Sequence, residues 1–408
     1  MCCWLARWHP AEPGGPAQLA DRQRAGRGWL ILSRLSLVPI GYLIPVVIIG
    51  FCTWVSVIAP RPPHTAPSHW SYWVTFEVNE QPFIAFYLLL IPTIVAFAGG
   101  DVDSPGGLAT LGLAVLVAVG LGILVRQAIA TGPAMRRALA EGGIDYQPGP
   151  RPWGRVLFPW IGARPRGVTR VVNVAYGDAG RRNMLDVYHR HDKPKGAPVI
   201  VYFHGGGFRL GSKNRGARAL LNHLAGQGWV GVNANYRLAP AVGYPEHHID
   251  AKRVIAWIRA HGSQYGADAR TVVVSGTSAG GHLASMLALT PGDPAFQPGF
   301  EDADTSVSAV IGFSGYYGPA GGPGSSPLER LRDAPPFLFI HGTSDSSTLI
   351  EDTRAFVTRL RQVSSHPVLF AELPGAQHAF DLFFSLRYSY VIEGVAAYCR
   401  SLASDHRQ

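Results

Sequence analysis

Cysteine is scarce in this 408-residue chain: Cys2, Cys3, Cys52 and Cys399 are all there is. None forms a C-x-x-C pair, so the spacing excludes a zinc finger and a thioredoxin-like redox motif. Only Cys399 lies beyond residue 167, so no disulfide can form within that part. Charge is also sparse, at 15% of residues, and the net charge of +9 is dispersed. The first 167 residues carry +5 and the remainder +4, without a basic run, a recognition helix or a zinc-finger pattern. That distribution gives no footprint for nucleic acid. Repeats and low-complexity tracts are missing as well. The G-x-G-x-x-G spacing of a dinucleotide site is absent, and no cofactor is expected. The run Pro245-Glu-His-His-Ile-Asp250 looks like a metal cluster, but it sits at a helix start, where acidic side chains meet the positive helix end. No metal is expected.

What is abundant is apolar sequence. Residues 37–59 contain no charged side chain, which is long enough to cross about 30 Å of hydrocarbon as a helix. The run starts too late and is too long for a simple signal peptide. Residues 107–125 form a second clear span, and residues 83–98, shorter and containing Pro92, form a third that is tilted, thinned or re-entrant. Prolines within such spans are tolerable where neighbouring helices satisfy the freed carbonyls. The small-residue stripe Ala114, Ala118, Gly122 is a candidate for close helix approach. Residues 1–28 read as a disordered basic start, 29–125 as a multi-pass membrane region in contact with the lipid bilayer, and 126–167 as a linker, a short helix-like stretch followed by a Pro/Gly/Arg/Trp-rich segment, 147–167, near the membrane surface. Orientation is contradictory. Arg7, Arg22, Arg24 and Arg27 precede the first span and Arg126, Arg136 and Arg137 follow the last, and both clusters favour the cytoplasmic face. Three crossings cannot satisfy both.

Residues 168–403 alternate short β-branched runs with amphipathic segments. Strands are predicted at 168–176, 184–188, 199–204, 230–236, 271–276, 307–314, 337–341 and 368–373, and helices near 215–226, 247–262, 279–290, 349–364 and 383–401. A continuous run such as Val199-Ile-Val-Tyr-Phe203 is what a strand buried on both faces looks like. Eight such strands with intervening helices make an α/β fold with a mostly parallel sheet, whose ligands bind beyond the carboxyl ends of the strands.

The chemistry-bearing residues fall at those ends. Gly276-Thr-Ser278-Ala-Gly280 is a G-x-S-x-G at a strand-to-helix turn, which exposes a serine hydroxyl and demands small residues two positions either side. His204-Gly205-Gly206-Gly207-Phe208 follows another strand. Its glycines allow backbone N–H groups to approach a developing oxyanion, so Gly206, Gly207 and the N–H of Ala279 are the candidate oxyanion hole. A serine hydroxyl needs a base, and the base a carboxylate to hold its tautomer. Asp345 lies just past the strand 337–341 and His378 just past the final strand, giving the order Ser278, Asp345, His378. His204, His282, His341 and His366 read as structural or idle. Asp352 and Asp381 read as helix-start or surface charges. Arg237 and Asp250 are candidates for an ion pair bracing a strand near the site.

Together H-G-G-G-F (204–208), N-Y-R-L-A-P (235–240), G-T-S-A-G-G (276–281), H-G-x-x-D (341–345) and G-x-x-H-x-F (375–380) resemble the hormone-sensitive-lipase-like carboxylesterases. The resemblance covers residues 168–403 and implies the α/β-hydrolase fold. It also implies cofactor-free hydrolysis of short- to medium-chain esters, with the same three catalytic groups and oxyanion glycines. The segment 176–188 is similar to isoprenylcysteine methylesterases, which are membrane-attached. Cap helices are replaced here by a Gly/Pro-rich loop after Tyr317, which implies an open, lightly lidded site beside the bilayer. A small, lipophilic ester is the expected partner. The same triad acting on a C–N bond would make an amidase or arylformamidase, and a membrane scaffold with a retired hydrolase domain is the reading from another class.

Overall fold

The computed structural model describes residues 39–58, 68–159, 167–193 and 195–405; the basic start, 1–28, lies outside them. Two compact units are formed, one from Met1–Gly50 with Tyr87–Ala118 and the other from Phe51–Phe86 with Val119–Gln408. The chain opens with helices α1 (Ile40–Ile58), α2 (Ser68–Glu80), α3 (Pro82–Gly99) and α4 (Pro105–Ile129). Of these, α1, α3 and α4 are long and apolar enough to cross a membrane.

In the smaller unit Val46, Leu89, Ala96, Ala114 and Val117 are buried, and Thr93 donates a hydrogen bond to the Tyr42 hydroxyl at 3.2 Å. Ile44, Ile48, Ile91, Val95 and Leu116 point outward. Large apolar side chains displayed over whole helix faces suit hydrocarbon, not water. The buried row of α4 is Ala114, Val117, Leu121 and Leu124, whereas Gly122 is exposed. Of the expected small-residue stripe, Ala114 is thus buried, whereas Gly122 is not.

The larger unit is an eight-stranded sheet in the order β1-β2-β4-β3-β5-β6-β7-β8. The strands are β1 (Val168–Ala175), β2 (Met184–Arg190), β3 (Ala197–Phe203), β4 (Val230–Ala234), β5 (Ala267–Thr277), β6 (Ala309–Phe313), β7 (Phe337–Gly342) and β8 (Val368–Leu373). β2 runs antiparallel to both β1 and β4, and all other pairs are parallel. Both faces are buried. In β3, Val199, Val201 and Phe203 enter one core cluster, while Ile200 and Tyr202 enter the other. Each fully buried Val, Ile or Phe side chain contributes about 1.5–3 kcal/mol. The first cluster is covered by α8 (Glu246–His261), α9 (Ala279–Leu289) and α10 (Ile350–Val363), the second by α5 (Thr131–Ala140), α7 (Arg218–Gly226) and α11 (Leu386–Asp405).

The helix-like stretch expected at the start of the 126–167 linker is α5, and it packs into the core of the larger unit. α5 has an apolar face, and its Met135, Ala138 and Leu139 lie in the second core cluster with Tyr146. Arg136 and Arg137 on the opposite side are exposed. After it comes the short helix α6 (Trp153–Leu157).

Candidate active site

β5 delivers its chain into α9 through Ser278, whose backbone sits at φ 55 and ψ −116. A non-glycine residue at positive φ of this kind is strained, and the surroundings hold it there. The Ser278 N–H donates to Phe313 O at 3.0 Å, and its carbonyl accepts from Tyr316 at 3.1 Å and His282 at 3.1 Å. The flanking glycines are obligatory in this packing. A Cβ on Gly280 would lie 1.9 Å from Phe203 O, and one on Gly276 would lie 2.4 Å from the Gly280 carbonyl carbon.

Asp345 and His378 meet across the ends of β7 and β8, with His378 Nδ1 2.8 Å from Asp345 Oδ2. Ser347 N and Thr348 N donate to the other oxygen, Oδ1, at 2.9 and 2.8 Å. Burial alone would raise the Asp345 carboxyl, but the His378 charge and hydrogen bonds from His341 and His378 hold it well below the usual carboxylate range. Burial pulls His378 down, yet the Asp345 carboxylate, by charge and hydrogen bond, outweighs it and raises the imidazole above 6.5. Gln377 Oε1 accepts from Ser346 N at 2.8 Å and His378 N at 2.9 Å, tying the two loops together.

The 204–208 loop follows β3. Gly206 has φ 121, and a Cβ there would lie 2.2 Å from Leu210 O. Its carbonyl accepts from Arg209 N and Leu210 N, which closes the loop into a tight turn. His204 is stacked on Tyr236 with ring centroids 4.4 Å apart, and burial lowers its pKa to about 4. It stays a neutral, structural group. Arg237 grips the buried Asp250 through two nitrogens at 2.9–3.1 Å, and the Arg237 carbonyl holds His247 at 2.8 Å.

Ser278, Ala279, Gly206, Gly207 and His378 line one cavity of about 650 Å³, with Asp345 hidden behind His378. Three features of this site escaped the sequence. His341 places Nε2 3.2 Å from Asp345 Oδ2, a second ring on the same carboxylate, reached through the i,i+4 spacing of H-G-x-x-D. Asp381, expected at the surface, is only 2% exposed and lines the cavity. It accepts from Tyr202 at 2.6 Å and from Thr277, and burial raises its carboxyl. Asp352, by contrast, is an exposed acid in the first turn of α10. The third feature is the lid. Tyr72 and Trp73 of α2 line the cavity, and the Tyr72 ring stands edge-on to His378 at 5.9 Å. The site is walled by the helix that follows α1, in addition to the Gly/Pro-rich loop after Tyr317.

Known proteins resemble this chain in sequence and fold. The BD-FAE family profile matches residues 185–320. The chain is 41% identical over 282 residues to "Probable carboxylic ester hydrolase LipM" of Mycobacterium tuberculosis, covering 62% of this chain and 64% of the relative. It is 35% identical over 274 residues to "Esterase LipQ" of the same organism, covering 60% and 65%. The matched stretch thus spans less than two thirds of either relative. Among solved structures, butyrate-bound esterase 2 of Thermogutta terrifontis superposes with a TM-score of 0.51 at 25% identity, over 61% of this chain and 98% of that one. The fold agrees with these relatives, and the chain is an α/β-hydrolase that resembles the hormone-sensitive-lipase-like carboxylesterases.

Proposed function

We propose that the chain is a membrane-anchored serine carboxylesterase that hydrolyses lipophilic esters through an acyl-enzyme on Ser278. The observation that carries this reading is the His378–Asp345 contact of 2.8 Å at the rim of the cavity lined by Ser278. His378 takes the Ser278 proton through Nε2 while Nδ1–H stays bonded to the carboxylate. The alkoxide attacks the ester carbonyl, and the oxyanion is held by the N–H groups of Gly206, Gly207 and Ala279. Each donor aimed at that oxygen lowers the barrier by about 3–4 kcal/mol. The imidazolium returns its proton to the departing alcohol. Water, deprotonated by the same ring, then releases the acid and restores Ser278. Ser278→Ala abolishes turnover of nitrophenyl esters on this scheme; activity surviving in that variant removes the mechanism.

A lipophilic substrate is supported by chain continuity. Trp73, on the cavity wall, is nine residues before Pro82, where α3 begins; at about 1.5 Å per residue that is roughly 14 Å from an apolar span. The same continuity bears on topology. Glu80 bonds Arg387, so α2 and the hydrolase domain share one face. An even number of crossings must separate them, which both α3 and α4 supply. The residues before α1 then lie on the opposite face, and one of the two basic clusters yields. In sealed vesicles Cys2 and Cys3 should react with an impermeant maleimide from the face opposite to a cysteine introduced at Asp192. Labelling from the same face refutes this topology.

A further inference from the structure

The end of α2 is fixed by buried polar contacts that the proposed reaction does not use. Arg387 Nε bonds Glu80 Oε1 at 2.8 Å, both side chains being almost wholly buried, and Ser385 Oγ donates to Glu80 Oε2 at 2.9 Å. Asn79 Nδ2 donates to Gly375 O at 2.9 Å, and Arg387 Nη1 donates to Pro374 O at 2.7 Å. One turn earlier, Gln377 Nε2 donates to Thr75 Oγ1 at 3.2 Å. Desolvation offsets most of the attraction in a buried ion pair, so such a set contributes chiefly a single defined arrangement. Here it fixes α2 against the loop carrying His378.

About two turns before Glu80 stands Trp73. Its side chain is 67% exposed, an unusual state for an indole on an otherwise well-anchored helix. It meets Tyr72 at 5.2 Å and Phe76 at 6.1 Å, and Phe76 stacks on Phe383 at 5.9 Å. Tyr72 and Trp73 line the cavity holding Ser278 and also an adjoining cavity of about 570 Å³ walled by Phe76 and Phe383. The two cavities share Tyr72, Trp73, Leu382, Arg215 and Asp381, so a path lined by aromatic and charged side chains leads from the serine, past the indole, to an aromatic pair.

Resting on the ester-hydrolase reading, we propose that Trp73 is a specificity-determining residue, its indole forming the wall along which the acyl chain lies, held in place by the Glu80–Arg387 latch. The acyl carbonyl sits at Ser278 and the chain runs toward Phe76 and Phe383. A short acyl group does not reach the indole; a medium one does.

The test measures kcat/KM for nitrophenyl acetate, butyrate and octanoate in detergent-solubilised full-length protein, comparing wild type, Trp73→Ala and Trp73→Phe. Each methylene taken off an apolar wall costs about fourfold. Losing contact with two lowers the octanoate-to-acetate ratio by about tenfold or more in Trp73→Ala. Trp73→Phe, which keeps an aromatic wall and the fold, retains most of the ratio. A ratio unchanged in Trp73→Ala overturns the proposal. Equal losses at every chain length, with weaker retention in vesicles, also overturn it, and make Trp73 an interfacial anchor instead. A wild-type protein inactive on all three esters, yet folded, refutes the ester-hydrolase reading itself.

Discussion

Replacing Asp345 by asparagine keeps the side-chain volume and removes the charge, and the surrounding geometry dictates how the site responds. Oδ1 can still accept from Ser347 N and Thr348 N at 2.9 and 2.8 Å. The amide nitrogen then takes the place of Oδ2 and donates where the carboxylate accepted, 2.8 Å from His378 Nδ1. Nδ1 is forced to accept, so the ring proton moves to Nε2, the nitrogen that must be free to deprotonate Ser278. Loss of the correct tautomer in such a triad costs about 10⁴ in kcat, or roughly 5 kcal/mol of barrier. A second consequence concerns pH. In the wild type the neutral base forms only as pH rises through the His378 value, which burial lowers but the Asp345 carboxylate lifts above 6.5. Activity therefore increases with pH along a limb placed above 6.5, and in Asp345→Asn the limb moves down because the main opposition to burial is gone. The assay is kcat/KM for nitrophenyl butyrate from pH 5 to 9, with a thermal melt to confirm folding. A folded variant that kept more than about a tenth of wild-type kcat with the limb unmoved would contradict the orientation argued for His378.

Asp381→Asn should retain most activity while lowering the same limb slightly, since the Asp381 charge is one of the smaller contributions raising His378. Burial raises Asp381 above 3.8, so its ionisation weighs against the fold as pH rises through its folded value. The asparagine variant should accordingly melt no lower than wild type at pH 8, and a clearly lower melting temperature there would count against this account. Glu80→Gln leaves Arg387 buried without its charge partner, a loss of about 3–5 kcal/mol, whereas the double variant Glu80→Gln with Arg387→Met removes the unpaired cation and recovers much of it. Calorimetry of the three proteins checks this; a single variant as stable as the double one shows that the pair carries no such strain.

The sheet was legible because parallel strands buried on both sides must be written as unbroken apolar runs, as in Val199-Ile-Val-Tyr-Phe203 and Thr271-Val-Val-Val. The serine turn and the Asp345–His378 pair were legible because a parallel sheet gathers its strand ends at one rim, so position along the chain already encodes position in space. His341 and Asp381 were not, since each looks like an ordinary side chain beside a motif; only the turn after β7 brings the His341 ring back to the carboxylate, and only the packing of Tyr202 and Thr277 buries Asp381. The helix α2 was hidden for a different reason. Thr75, Asn79 and Glu80 fall between two spans and carry no motif, and their partners Gln377, Gly375 and Arg387 lie about three hundred residues later, where no periodicity connects them. The Glu80 carboxylate is paired and dry. A helix that only connected two apolar spans would not need to bury a carboxylate against the loop carrying His378. The contact makes sense if α2 is built into the site, so that removing residues before 126 should cost the proposed esterase its substrate wall.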